Sequence, residues 1–260
     1  MLALVLALMA QVDAGPAAVD PPFSLSAVGA EQVILVVTDS WTATVGTLKR
    51  YQRVGAKWLQ VGPPVEIVVG ENGLGWGLGL HPLGVGEPRK LEGDGRGVAG
   101  AFALVTAFGR GAPVVKSQMP WLQATPTLQC VDDPRSSRYN HIVDAAGDQR
   151  GDVDGGPPSL GASAYKTAEP LLRDDGLYDV ALLVDHNNLG DGSKRVIPGR
   201  GSCVFLHVWK RKGRATDGCT AMARLDLEKI LEWLEPQKRP VLVQLPKEEW
   251  IKRKFPWGLP

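Results

Sequence analysis

From Gly201 to Trp209 the chain reads GSCVFLHVW, and its side chains sort by parity. Cys203, Phe205, His207 and Trp209 fall on one side of an extended strand, and Val204, Leu206 and Val208 on the other, because successive strand side chains point to opposite faces. One face is purely apolar; the second sets a thiol and an imidazole among aromatic rings. Further strands are predicted at QVILVVTDSW (32–41), LYDVALLVDHN (177–187) and RPVLVQLP (239–246), and TATVGTLKRYQRVGAKWLQV (42–61) divides into two more around Gly46 and Gly55. In NGLGWGLGL, glycines at 73, 75, 77 and 79 leave one strand face bare, which suits close sheet packing or a floor under an extended peptide. Only DLEKILEWLEP (226–236) shifts clearly to helical spacing: Leu227, Ile230, Leu231 and Leu234 share a face, and Pro236 ends the run.

The pattern predicts one β-rich domain, a sandwich or barrel, with a helix packed on it. Composition agrees: 44% hydrophobic residues across 260 positions can fill one sizeable core, and 31 glycines with 20 prolines favour short strands and turns. The net charge of +1 gives no global field toward nucleic acid or anionic lipid, so no nucleic-acid partner is expected. The opening MLALVLALMA, followed by small residues to Ala17, reads as a secretory signal, although no Lys or Arg precedes Lys49. It is too short to span a bilayer. We therefore expect a leader at 1–17, a linker at 18–30, the folded domain at 31–246 and a basic, Trp-containing surface tail at 247–260, in a protein exported to the periplasm or cell envelope.

Two motifs are set aside. GRGVAG (95–100) fits G-x-G-x-x-G, but no apolar strand leads into it and no acid stands about 20 residues on, so it does not read as a dinucleotide site. DQRGDVDGGPPSLGAS (148–163) lacks the register and closing Glu of a calcium loop and reads as a solvated loop.

The chemistry concentrates after the 201–209 strand. A turn-forming loop, KRKGRATDG, returns to Cys219, so a strand histidine and a loop-end cysteine can meet in space. An imidazole can take the thiol proton, and Lys210, Arg211, Lys212 and Arg214 would favour the thiolate or hold a substrate carboxylate. Amides around Gly218 would form an oxyanion hole. The same residues admit other readings: a core histidine, a Cys203–Cys219 bridge, or a zinc site built from Cys203, His207 and Cys219. With three cysteines, Cys130, Cys203 and Cys219, at least one thiol lacks an intrachain partner. Asn187 is a candidate to orient His207 or bind substrate backbone, or else a turn residue, and His186 reads as polar surface. Asp132, Asp133, Tyr139 and Asn140 are candidates for a loop over the cleft.

SCVFLHVW, a short polar loop and TDGCTAM together resemble the signature of the L,D-transpeptidase (YkuD-type) catalytic domain, a strand His followed by a Ser/Thr-x-Gly-Cys turn. GDGRGVAGAF (93–102), CVDDPRSSRYNHIVD (130–144) and TAEPLLRDDGLYDVALLVDHN (167–187) extend the likeness over roughly residues 31–235. The chain departs from the family at Gly97-Val98-Ala99-Gly100, at Asp217 and at Ala221, positions that bear on substrate recognition. The resemblance implies a mostly antiparallel β-sandwich with one or two packed helices. It implies Cys219 as nucleophile, His207 as its base, Gly218 and the Cys219 amide at the oxyanion, and Thr216, Asp217, Arg214 and Asn187 on the substrate. It further implies attack on the diaminopimelate–D-alanine bond of peptidoglycan stem peptides, a thioester, and transfer to an amine of another stem or an anchored protein. Water in place of the amine gives an L,D-carboxypeptidase, and a Cys203–Cys219 bridge would leave a non-catalytic wall-binding module. A monomer with no metal or organic cofactor is expected.

Overall fold

The computed structural model describes residues 23–82, 86, 88–114, 116–146, 165–188 and 196–260; the leader-like segment 1–17 and the stretch 148–163 lie outside them. The strands are β1 (Gln32–Thr38), β2 (Val45–Val54), β3 (Lys57–Val68), β4 (Leu74–Trp76), β5 (Gly97–Gly109), β6 (Trp121–Gln123), β7 (Leu128–Val131), β8 (Ile142–Asp144), β9 (Ala168–Pro170), β10 (Val180–Val184), β11 (Phe205–Val208), β12 (Thr220–Met222) and β13 (Val241–Pro246). The helices are α1 (Arg224–Trp233) and α2 (Lys247–Arg253). Ten strands make one sheet in the order β10-β11-β12-β3-β2-β1-β13-β5-β4, with β6 beside β5. β10 also pairs with β5, so the sheet closes on itself and most of its edges disappear. Neighbours around the ring are antiparallel except β1–β13 and β11–β12. The mainly β class with packed helices is as expected; the walls of the expected sandwich are joined into one closed sheet.

Strand parity decides which side chains fill the ring. Leu182, Val184, Val204 and Leu206 enter the main core, which Leu227, Ile230 and Leu231 of α1 and its C-cap residue Leu234 complete. Full burial of each such side chain contributes about 1.5–3 kcal/mol. Ala181, Leu183, Cys203 and Phe205 point outward into a second cluster with Phe108, Leu128, Cys130, Ile142, Leu171 and Tyr178. A small sheet, in the order β8-β7-β9, supplies that covering layer. Two apolar layers therefore sandwich β10 and β11, and the face bearing Phe205 and His207 lies between ring and small sheet.

Three expectations are corrected. Residues 23–30 are not a linker: Phe23, Leu25 and Ala30 join the core, and the Leu25 N–H donates to the Trp257 carbonyl at 2.9 Å. The tail is not a surface appendage, because Lys247–Arg253 form α2 against β1 and β13, and Trp257 and Leu259 are buried. The bare face of the 73–79 glycines is filled by the chain itself. A side chain at Gly79 would strike the Ala101 carbonyl, and one at Gly77 the His186 and Phe102 rings, so no peptide floor exists there.

Candidate active site

β11 and β12 run parallel with Leu206 beside Thr220 and His207 beside Ala221, which sets Cys219 level with Phe205. The Phe205 N–H donates to the Cys219 sulfur at 3.3 Å, and the thiol reaches the Cys203 carbonyl at 3.6 Å. The returning loop is fixed before it arrives. The Thr216 N–H donates to the Val69 carbonyl and the Glu71 N–H to the Thr216 carbonyl, which lashes the loop to the end of β3. The Thr216 hydroxyl donates to the Cys219 carbonyl at 2.6 Å and accepts the Gly218 N–H at 3.2 Å, locking the turn. Gly218 has φ +155°, and a Cβ there would sit 3.1 Å from the Arg96 carbonyl, so the position requires glycine.

Cys219, His207, Gly218, Thr216, Asp217 and Arg214 all line one cavity of about 380 Å³. Cys219 is half-buried and, among the described residues, is the free cysteine. His207 is buried, its Nδ1 2.8 Å from the Val208 carbonyl. A carbonyl only accepts, so Nδ1 carries the proton and Nε2 keeps the basic lone pair. The Tyr178 ring stands edge-on to the imidazole, centroids 5.2 Å apart, and Phe108 joins Phe205, the ring that strand parity predicts, in an aromatic wall.

The structure pairs Cys203 with Cys130, which corrects two readings. Cys203 cannot close onto Cys219 while it holds this disulfide, and its sulfur is withdrawn from the three-ligand zinc arrangement. The bridge ties β7 of the small sheet to the residues entering β11. Cys203 has φ +55°, uncommon for a side-chain-bearing residue, and its N–H donates to Asn140 Oδ1 at 2.9 Å.

Gly218 and Asn187 also depart from their expected roles. The Gly218 N–H is already given to Thr216, so of the 218–219 amides the one at Cys219 is left for an oxyanion. Asn187 is buried away from the cavity lining: its amide donates to the Ile197 and Gly201 carbonyls, and its oxygen accepts the Ile197 N–H. It closes the 197–201 loop, with φ +53°, a conformation asparagine tolerates. Asn140 braces the same corner by donating to the His186 and Asn187 carbonyls. His186 is fully buried, and Asp133 caps the turn after β7 by accepting the Arg135 and Lys166 N–H groups. Of the cleft-loop candidates, Asp132 lines the cavity, while Tyr139 is buried and donates to Glu92.

The expected positive field is offset by acidic side chains. Arg211 and Lys212 do not line the cavity, and Lys212 pairs with Glu66 at 2.5 Å. Lys210 and Arg214 share the cavity with Lys90 and Arg173, but also with Glu92, Asp132, Glu169, Asp175 and Asp217. Burial and then the nearby Glu169 charge push the Cys219 thiol up to about 12, against smaller help from the Phe205 N–H, Lys90 and Tyr178. Burial brings His207 down to about 4. Both groups are therefore neutral at pH 7.

Four residues lining the cavity carry no local sequence signal. Lys90, buried and paired with Asp94 at 2.5 Å, brings its ammonium beside the Gly218 turn from a distant part of the chain. Tyr178 donates to Glu169 Oε1 at 2.6 Å, and the Arg173 guanidinium lies over its ring at 5.2 Å. Parity along LYDVALLV would have sent Tyr178 inward with Val180 and Leu182. A turn at Gly176–Asp179 precedes β10 and directs it to the outer cluster instead.

No family model matches the sequence, and no curated protein matches it. Among solved structures, the chain is similar to the helical cell shape determining protein Pgp2 from Campylobacter jejuni, in one structure and in that of a point variant. Identity is 14% and the TM-score 0.37 in both, over 83% and 84% of this chain and 48% of the other. The chain spans about half the length of Pgp2. Likeness at this level carries no information on activity.

Proposed function

We propose that the protein is a cysteine acyltransferase of the L,D-transpeptidase type, exported to the cell envelope and acting on peptidoglycan stem peptides. The observation that carries this reading is that a free thiol, Cys219, and a tautomer-fixed imidazole, His207, line one cavity. The resemblance of residues 203–222 to the family signature supplies the substrate class, and the Cys130–Cys203 disulfide fits an oxidising compartment.

Nε2 of His207 takes the thiol proton as Sγ attacks the carbonyl carbon of the diaminopimelate–D-alanine bond. The Cys219 amide meets the developing oxyanion. Collapse breaks the C–N bond, the imidazolium returns its proton to the departing D-alanine amine, and a thioester remains. An amine of a second stem or an anchored protein then displaces sulfur; water in that role would make the enzyme an L,D-carboxypeptidase. The mixed charges of the cavity suit a zwitterionic stem better than a simple anion. Thr216 holds the turn, and Asp217 and Arg214, which line the cavity, would contact the stem.

Incubation with purified muropeptides tests the reading. D-Alanine release that is lost in Cys219→Ala is expected, and product analysis with and without an added amine separates transfer from hydrolysis. Undiminished release by Cys219→Ala would end it.

A further inference from the structure

His207 is not the only proton acceptor that lines the cavity with Cys219. Glu169 projects from β9 in the small sheet, and its nearest partner is the Tyr178 hydroxyl at 2.6 Å. Arg173 stands farther off, at 3.6 Å, and spends its guanidinium on Asp175 at 2.6 and 3.1 Å. Glu169 thus lacks a tight cation. Tyr178 is buried in the outer cluster against which Cys219 packs, and it lines the same cavity as Cys219 and Glu169. A phenol that donates to a carboxylate still has a lone pair to accept a thiol proton, and a thiol hydrogen can turn to it from the Cys203 carbonyl.

We propose that Tyr178 and Glu169 form a second proton-accepting arm on Cys219, working beside His207. As Sγ bonds to an acyl carbon, the thiol proton passes to the Tyr178 oxygen while the phenolic proton moves to Glu169 Oε1. The carboxylate ends as a carboxylic acid, the phenol ends neutral, and the leaving group departs with its electron pair. Tyr178 touches the reacting atom; Glu169 acts through it and is a positioning residue. Burial, reinforced by Asp132 and Asp217 and opposed by Tyr178 and Arg173, raises the basicity of Glu169, whereas burial weakens that of His207. Lys90 opposes the Glu169 charge at the sulfur, and Glu92, Asp132, Arg173, Asp175, Lys210, Arg214 and Asp217 line the same cavity.

The proposal rests on Cys219 being the nucleophile, but its test needs no stem peptide. Acylation of Cys219 by p-nitrophenyl acetate forms the S–C bond, breaks the ester C–O bond and releases p-nitrophenolate. In a His207→Ala background, a relay gives a rate that stays level with pH over about pH 6 to 9, where the thiol is protonated. Adding Glu169→Gln or Tyr178→Phe should remove that plateau. At pH 7 the reaction then slows by roughly tenfold or more and its rate climbs about tenfold per pH unit, as for attack by a trace of free thiolate. Glu169→Asp should restore part of the plateau. A single His207→Ala variant that already climbs in this way, or double variants that match it, would overturn the relay. Failure on muropeptides with the plateau intact would instead reject the stem-peptide reading alone.

Discussion

At the residue scale, the site depends on what surrounds one sulfur. Strand parity and the loop return made His207 and Cys219 legible, since both signals are local. Their ionisation was not legible, because it depends on burial and on Glu169, Tyr178 and Lys90, which tertiary folding delivers from elsewhere. The run of cations at 210–214 suggested an activated thiolate, yet those side chains are largely exposed and one is paired to Glu66. A prediction follows from the sign. A thiol pushed up to about 12 carries less thiolate at neutral pH than an ordinary cysteine, so iodoacetamide should alkylate native Cys219 more slowly than the same residue in the urea-unfolded chain. Faster reaction in the native protein would mean that the sulfur is pre-ionised.

At the scale of elements, alternation identified the strands whose two faces are both buried and the face assignment within β11, and the 3.6-residue period identified α1. The short strands of the small sheet were not legible: β8 and β9 are three residues each, too short for a period, and both pair with β7, which the Cys130–Cys203 bridge ties to the residues entering β11. That sheet carries Glu169 and roofs the outer cluster, so the disulfide links stability to the site. Its 73-residue separation gives a loop-closure contribution of about 4 kcal/mol by chain entropy. Replacing both cysteines by alanine should lower stability by up to about that amount and increase hydrogen exchange at 128–144 before the ring opens. Exchange there that matches the unaltered protein would show that the small sheet holds without its tether.

At the scale of the whole molecule, closing the sheet places three buried histidines in surroundings that keep them neutral. Burial brings His81 down to about 4, His186 to about 3 and His207 to about 4. In the unfolded chain each binds its proton near pH 6.5. Between these values the unfolded state holds more protons, so stability is complete above about pH 6.5 and is lost as pH falls toward 4, by on the order of several kcal/mol in total. A thermal midpoint that drops steadily from about pH 7 to 4 is expected, and a flat profile would contradict the burial of these rings. Such neutrality also shapes the account of catalysis, in which sulfur and imidazole wait uncharged for an acyl group. The most direct test is intact-mass analysis and peptide mapping of the protein mixed with a stem tetrapeptide. The account predicts a tripeptidyl adduct on the peptide containing Cys219, cleared by hydroxylamine and missing from Cys219→Ala; an adduct on another residue, or one that survives in that variant, would contradict it.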